Sequence, residues 1–147
     1  MSYAIDVNIL LYASDESSPL HARAKAFLES CTQGHEVFCL AWVSIMSYMR
    51  MATHPRIFAN PLSHDQAARN VEALLSAAHC RRIGEEDGFW ELYRDVTSAV
   101  PTKGNLVPDA QLAALMRQHG MVTLYTHDRD FHKFPDIEVR DPLVSRS

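Results

Sequence analysis

At 147 residues, with 47% hydrophobic and 22% charged positions, the chain suffices for one domain, 1–147, with a real core, and its composition excludes disorder. A net charge of −4 gives no global electrostatic case for nucleic-acid binding. Three cysteines without a CxxC pair fit a reducing cytoplasm, the early charge at Asp6 argues against a signal peptide, and no apolar run approaches the roughly 20 residues that span a bilayer.

A short first strand, Tyr3 to Ile5, leads into a helix through Asn8–Ala13, which the polar stretch Ser14–Ser18 breaks. Ser18, with Pro19 after it, predicts the cap of a second helix, with Leu20, Ala24, Phe27 and Leu28 on one face and an end near Gly34. Val37–Leu40 reads as the second strand. The third helix spans Trp42 to Ala52 and stops before His54-Pro55, because the residue preceding proline disfavours helix. After an irregular link, Ser63 and Gln66 form a capping box for a helix with the stripe Ala67, Val71, Leu74, Leu75 and Ala78. Arg81–Ile83 predicts a short strand, and Phe89, Leu92, Tyr93 and Val96 mark a fifth helix. Asn105 is placed as the N-cap of a sixth helix that tolerates Pro108 in its first turn and ends at Gly120. Val122–Tyr125 is the fourth strand, Asp128–Phe134 a loop or single turn, and Ile137–Val139 a final edge strand. Strands alternating with helices imply an α/β domain: a central parallel sheet with helices on both faces.

In such a sheet the strand ends gather on one edge, where ligands bind. Asp6 follows the first strand, Asp128 and Asp130 follow the fourth, and Asp109 heads the sixth helix. Asp109 begins the apolar series Leu112, Ala113 and Met116, where an ionised carboxylate is costly unless paired or metal-bound. The alternative is a first-turn acid satisfied by the helix N-terminus. Asp6 is equally open to capping the next helix, with Asn8 as a donor to its carboxylate or to a ligand water. Asp128 and Asp130 suit a polar turn, and Thr126 can orient a carboxylate or phosphate. Carboxylates crowded on one edge repel each other without a cation, and a hard one, Mg²⁺ or Mn²⁺, is the natural partner. The commonest chemistry of such a centre is on phosphate esters.

Ile5-Asp6-Val7-Asn8, then Asn105-Leu106-Val107-Pro108-Asp109-Ala110, then Thr126-His127-Asp128-Arg129-Asp130-Phe131 together resemble a PIN domain, most closely the VapC-type ribonuclease toxins of bacterial toxin–antitoxin pairs. Trp42–Pro55 and Pro61-Leu62-Ser63 resemble a mycobacterial-type branch of these toxins. The resemblance runs from Ala4 to Pro142. It implies a five-stranded parallel sheet, a homodimer, and Mg²⁺- or Mn²⁺-dependent endonucleolytic cleavage of structured RNA such as tRNA or rRNA, blocked by a small VapB-type antitoxin. On it, Asp6, Asp109 and Asp128 are the catalytic and metal-binding acids, and Asp130 is a further metal ligand. Asn8, Ser47, Arg50 and Thr126 support the site or touch substrate. One position departs: the third-helix glutamate of the family falls on Ser47, and no acid lies between Val37 and Asn60.

Arg50, Arg129 and Lys133 are phosphate-binding candidates or solvated charges. His127 and His132 lie near Asp128, and geometry decides whether either takes part. Trp42, Met46, Tyr48, Met49 and Met51 are core, with part of the set available to a dimer or antitoxin groove. The missing glutamate keeps alive a catalytically degenerate PIN-like RNA- or protein-binding module. A phosphatase of the haloacid-dehalogenase kind needs a second aspartate two residues after the first, where this chain has Asn8.

Overall fold

The computed structural model describes residues 2–144. In chain order the elements are β1 (Ser2–Ile5), α1 (Val7–Ser14), α2 (His21–Gln33), β2 (Val37–Ala41), α3 (Trp42–Ala52), α4 (His64–Leu75), β3 (Cys80–Ile83), α5 (Phe89–Ala99), α6 (Leu106–Gln118), β4 (Thr123–Tyr125), a 3-10 turn (Arg129–Lys133) and β5 (Glu138–Arg140). All strand pairs are parallel, in the order β3-β2-β1-β4-β5. This is the predicted order of elements, and Glu138–Arg140 is the predicted edge strand displaced by one residue.

Side chains alternate along each strand, so the central strands feed two cores. Tyr3, Ile5, Phe38 and Leu40 pack with Ile9, Leu28, Ile45, Tyr48 and Val71 from α1 to α4. Ala4, Cys39, Ala41 and Leu124 pack with Val96, Leu112, Leu115 and Met116 from α5 and α6. Phe131 and Phe134 are buried in this second core and pin the turn that follows Asp128, as their apolar character predicts. Among the described residues no helix is long and apolar enough to cross a membrane.

The capping box forms as predicted: Gln66 N donates to Ser63 Oγ at 3.1 Å and Ser63 N to Gln66 Oε1 at 3.0 Å. Gly120 has φ 70°, the left-handed turn after α6 that a β-carbon strains. Two caps differ from expectation. Ser18 caps a turn, not α2: its Oγ accepts from Leu20 N at 3.1 Å, and α2 starts at His21. Asn105 stands at the N-cap of α6 but has helical angles, φ −67° and ψ −13°, and its side chain caps nothing. A capping side chain needs an extended backbone at that residue.

Candidate metal centre

Ile5 and Tyr125 are register partners on neighbouring parallel strands, so Asp6 and Thr126 emerge side by side. Asp6 N donates to Tyr125 O at 3.0 Å, which continues the ladder to the strand ends. Asp6 then caps α1: its Oδ1 accepts from Val7 N at 2.8 Å. Its Oδ2 accepts from Thr126 Oγ1 at 2.9 Å. The same hydroxyl accepts from Asn8 Nδ2 at 3.2 Å and from Asp128 N at 3.0 Å. Thr126 is buried, and its single donor and both acceptor directions are used. It joins the end of β1, the first turn of α1 and the loop after β4. Asn8 also accepts from His127 N at 3.4 Å through Oδ1.

Asp109 lies in the first turn of α6, half-buried beside buried Ala110 and Leu112. Asp128 Oδ1 accepts from Asp130 N at 2.9 Å and so starts the 3-10 turn. Carboxylate oxygens of Asp109, Asp128 and Asp130 lie within 4.8 Å of one another. Asp6 is not in that set. Both of its oxygens accept hydrogen bonds, and it acts on the cluster as a neighbouring charge. Sequence reasoning placed Asp6 in the centre and Asp130 at its margin; the tight trio contains Asp130.

The charges are felt. Burial pushes the Asp109 carboxyl up to about 7, with Asp128, Asp6 and Asp130 adding to the push and Lys133 opposing it. Burial likewise raises Asp6 to about 6, against the hydrogen bonds from Thr126 and Val7, while Asp128 raises it further. Carboxyls held above their ordinary range among other carboxylates, with only oxygen donors on offer, fit a hard divalent cation. Lys133 Nζ lies 3.5 Å from Asp130 Oδ1, on the exposed side.

The other predicted residues are placed less directly. Ser47 is half-buried on α3 and makes no side-chain hydrogen bond among the described residues. It lies one turn after Val43, which packs against the second core, so the two share one side of α3. Arg50, Arg129 and His132 are exposed. His127 is engaged with Asp141 and Tyr12: its Nδ1 donates to Asp141 Oδ2 at 2.7 Å, and its ring meets Tyr12 edge-on at 5.7 Å. Asp141 was missed. The Asp-Pro pair just past the last strand was the available signal for a turn-forming carboxylate. Ser44, the hydroxyl that α3 buries, carried no signal in the sequence.

A family model described as the PIN domain matches residues 3–137. Ribonuclease VapC48 of Mycobacterium tuberculosis is 44% identical over 143 residues, covering 97% of this chain and 99% of its own. The chain belongs to the PIN domain family, among the VapC ribonucleases. Ribonuclease VapC43 of the same organism is 32% identical over 139 residues, 95% of this chain and 94% of its own. Of solved structures, the VapBC2 complex of Rickettsia felis bound to a promoter DNA fragment matches this VapC-type PIN domain with a TM-score of 0.70 at 15% identity, over 96% of this chain and 98% of that one. VapC20 of M. tuberculosis, a sarcin–ricin-loop-cleaving toxin, matches with a TM-score of 0.66 at 16% identity, over 88% and 92%. At such identities the likeness is one of fold.

Proposed function

We propose that this VapC-type domain is the endoribonuclease toxin of a VapBC-type pair, hydrolysing phosphodiester bonds in a structured RNA, tRNA or rRNA, with Mg²⁺ or Mn²⁺. The observation that carries this reading is the approach of Asp109, Asp128 and Asp130 oxygens to within 4.8 Å beside the buried Asp6. These four residues would hold the cation. When bound, it supplies a water of lowered pKa and neutralises charge growing on the phosphorus oxygens. The chain's own part is positioning. Thr126 holds Asp6 and the Asp128 amide in one frame, Asn8 holds Thr126, and the helix-capping bond fixes Asp6 against rotation. Lys133, 3.5 Å from Asp130, and exposed Arg129 would contact the RNA phosphates.

The partners in this reading are a small VapB-type antitoxin and a second copy of the chain. Trp42 and Met46, one turn apart on α3, are 44% and 61% exposed, an apolar pair suited to self-association. An apolar groove of about 420 Å³ lined by Leu10, Leu28, Tyr48, Val71 and Leu74 suits the apolar face of an antitoxin segment.

Purified protein should cut tRNA or rRNA internally with Mn²⁺ and stop on addition of EDTA. RNA that is bound yet uncut in both Mn²⁺ and Mg²⁺ would instead support a degenerate binding module. The position of Ser47, where the family carries a glutamate, gives a second expected result. Ser47→Glu should tighten Mn²⁺ binding, because a further acid near a divalent cation gains more attraction than it loses to its neighbours. Asp130→Ala should weaken it about 10-fold or more, on the scale of losing a supporting group. Titration calorimetry reads both; an unchanged or weaker affinity for Ser47→Glu would show that residue 47 does not face the cation.

A further inference from the structure

The segment after β5 is tied to the turn that carries Asp128, and nothing in the reading above uses it. Asp141 spends both carboxylate oxygens on local contacts. Oδ2 accepts from His127 Nδ1 at 2.7 Å, and Oδ1 accepts from Leu143 N at 2.9 Å. Leu143 is 1% exposed in the core beneath α1 and α2, and its carbonyl accepts from Arg23 Nη1 at 2.8 Å. Asp141 is therefore anchored from behind and faces His127 from a fixed point. His127 is the residue between Thr126 and Asp128. Its ring meets Tyr12 at a near-perpendicular angle with centroids 5.7 Å apart, and its backbone N–H donates to Asn8 Oδ1. The bond to Asp141 and the contact with Tyr12 favour one orientation of the ring, and the His127 backbone joins the hydroxyl that orients Asp6 to the carboxylate that joins the trio.

We propose that Asp141 is a positioning residue for the carboxylate site: acting through His127, it fixes the turn 126–128 and with it the direction of the Asp128 carboxylate. The inference rests on the metal-binding reading given above. Asp141 lies outside the Asp109–Asp128–Asp130 set, and its two oxygens bond His127 and Leu143, so it acts on the site without being a ligand. The effect is one of support, the kind that costs about 10- to 100-fold in metal affinity when removed.

The test compares Asp141→Ala, His127→Ala, His127→Asn and Arg23→Ala with the wild type. Mn²⁺ titration calorimetry is run without RNA, and amide hydrogen exchange is run without metal. Asparagine places an N–H near the position of histidine Nδ1 and so keeps the bond to Asp141, whereas alanine cannot. Arg23→Ala loosens the anchor at Leu143 but leaves the Asp141–His127 bond in place. The expected result is a loss of about 10-fold or more in Mn²⁺ affinity for Asp141→Ala and His127→Ala. His127→Asn should stay within a few-fold of wild type, and Arg23→Ala, which loosens the anchor but keeps the Asp141–His127 bond, should lose less than Asp141→Ala. In the metal-free protein the Asp128 and Asp130 amides should exchange at least about 10-fold faster in the two alanine variants, because local opening frees their bonds to Thr126 and Asp128. The proposal is overturned if Asp141→Ala binds Mn²⁺ like wild type, or if His127→Asn is as weak as His127→Ala. Should Asp141→Ala fail to fold, the two His127 variants decide alone. If wild-type protein itself binds no Mn²⁺, the metal reading fails, while amide exchange still reports whether Asp141 holds the turn.

Discussion

Asp109→Asn is expected to cut RNA cleavage by at least about 100-fold, beyond the loss usual for a supporting group, and yet to raise the melting temperature of the metal-free protein at pH 7.5. The two effects share one cause. Asp109 is half-buried among Asp6, Asp128 and Asp130, and its carboxyl is pushed up to about 7 chiefly by burial. At pH 7.5 the folded protein must hold a charge there that its surroundings disfavour. An amide removes that charge while nearly keeping the shape, and among the described residues Asp109 makes no side-chain hydrogen bond that it would lose. A gain of about 1 kcal/mol would appear as roughly 2–4 °C in a domain of this size. Asp6→Asn should lose cleavage equally but gain less stability. Asp6 accepts from both Val7 N and Thr126 Oγ1, and an amide has one oxygen where the carboxylate has two. Cleavage assays and thermal melts of the three proteins with EDTA decide the matter. An Asp109→Asn protein that still cleaves, or that melts well below wild type without metal, would remove Asp109 from the cation site.

The second large effect couples metal to pH. The Asp6 and Asp109 carboxyls sit at about 6 and about 7 in the folded protein, above the ordinary carboxyl value of 3.8. Between about pH 4 and pH 7 the folded state therefore holds more protons than the unfolded chain. Stability contributed by these groups is fully present below the unfolded value and is lost as pH rises through 6 and 7. A cation competes with those protons, so its affinity should climb over the same window. At pH 7.5, Mn²⁺ at 100 times its dissociation constant should stabilise the fold by about 2.7 kcal/mol, or roughly 5–10 °C. At pH 5 the same concentration should give little shift, because both carboxyls are then mostly protonated. Melting curves with and without Mn²⁺ at the two pH values test this. An equal shift at pH 5 and pH 7.5 would mean that the cation binds elsewhere.

Much of the fold was legible because its signals are local. The alternation of apolar strands with amphipathic helices, the capping box at Ser63 and Gln66, and the glycine after α6 each depend on neighbours within a few residues. The misplaced caps show the limit of that logic. Ser18 and Asn105 have the right chemistry, but the backbone angles that let a side chain reach its helix are set by the incoming loop.

By itself, the sequence determined the α/β class, the order of elements and the acids that could meet at the strand ends. Parallel strands joined by helices bring their C-terminal ends to one edge whatever the details. Which acids actually converge was decided only in three dimensions. Asp6 lies beside the tight trio, its oxygens also accepting from Val7 N and Thr126 Oγ1, whereas Asp130 belongs to it through the turn that its own amide closes on Asp128. The clasp of Asp141 on His127 joins residues 14 positions apart across β5, and Thr126 reaches Asp6 over 120 positions. Contacts of that range follow from strand register and core packing, and no local pattern in the chain encodes them.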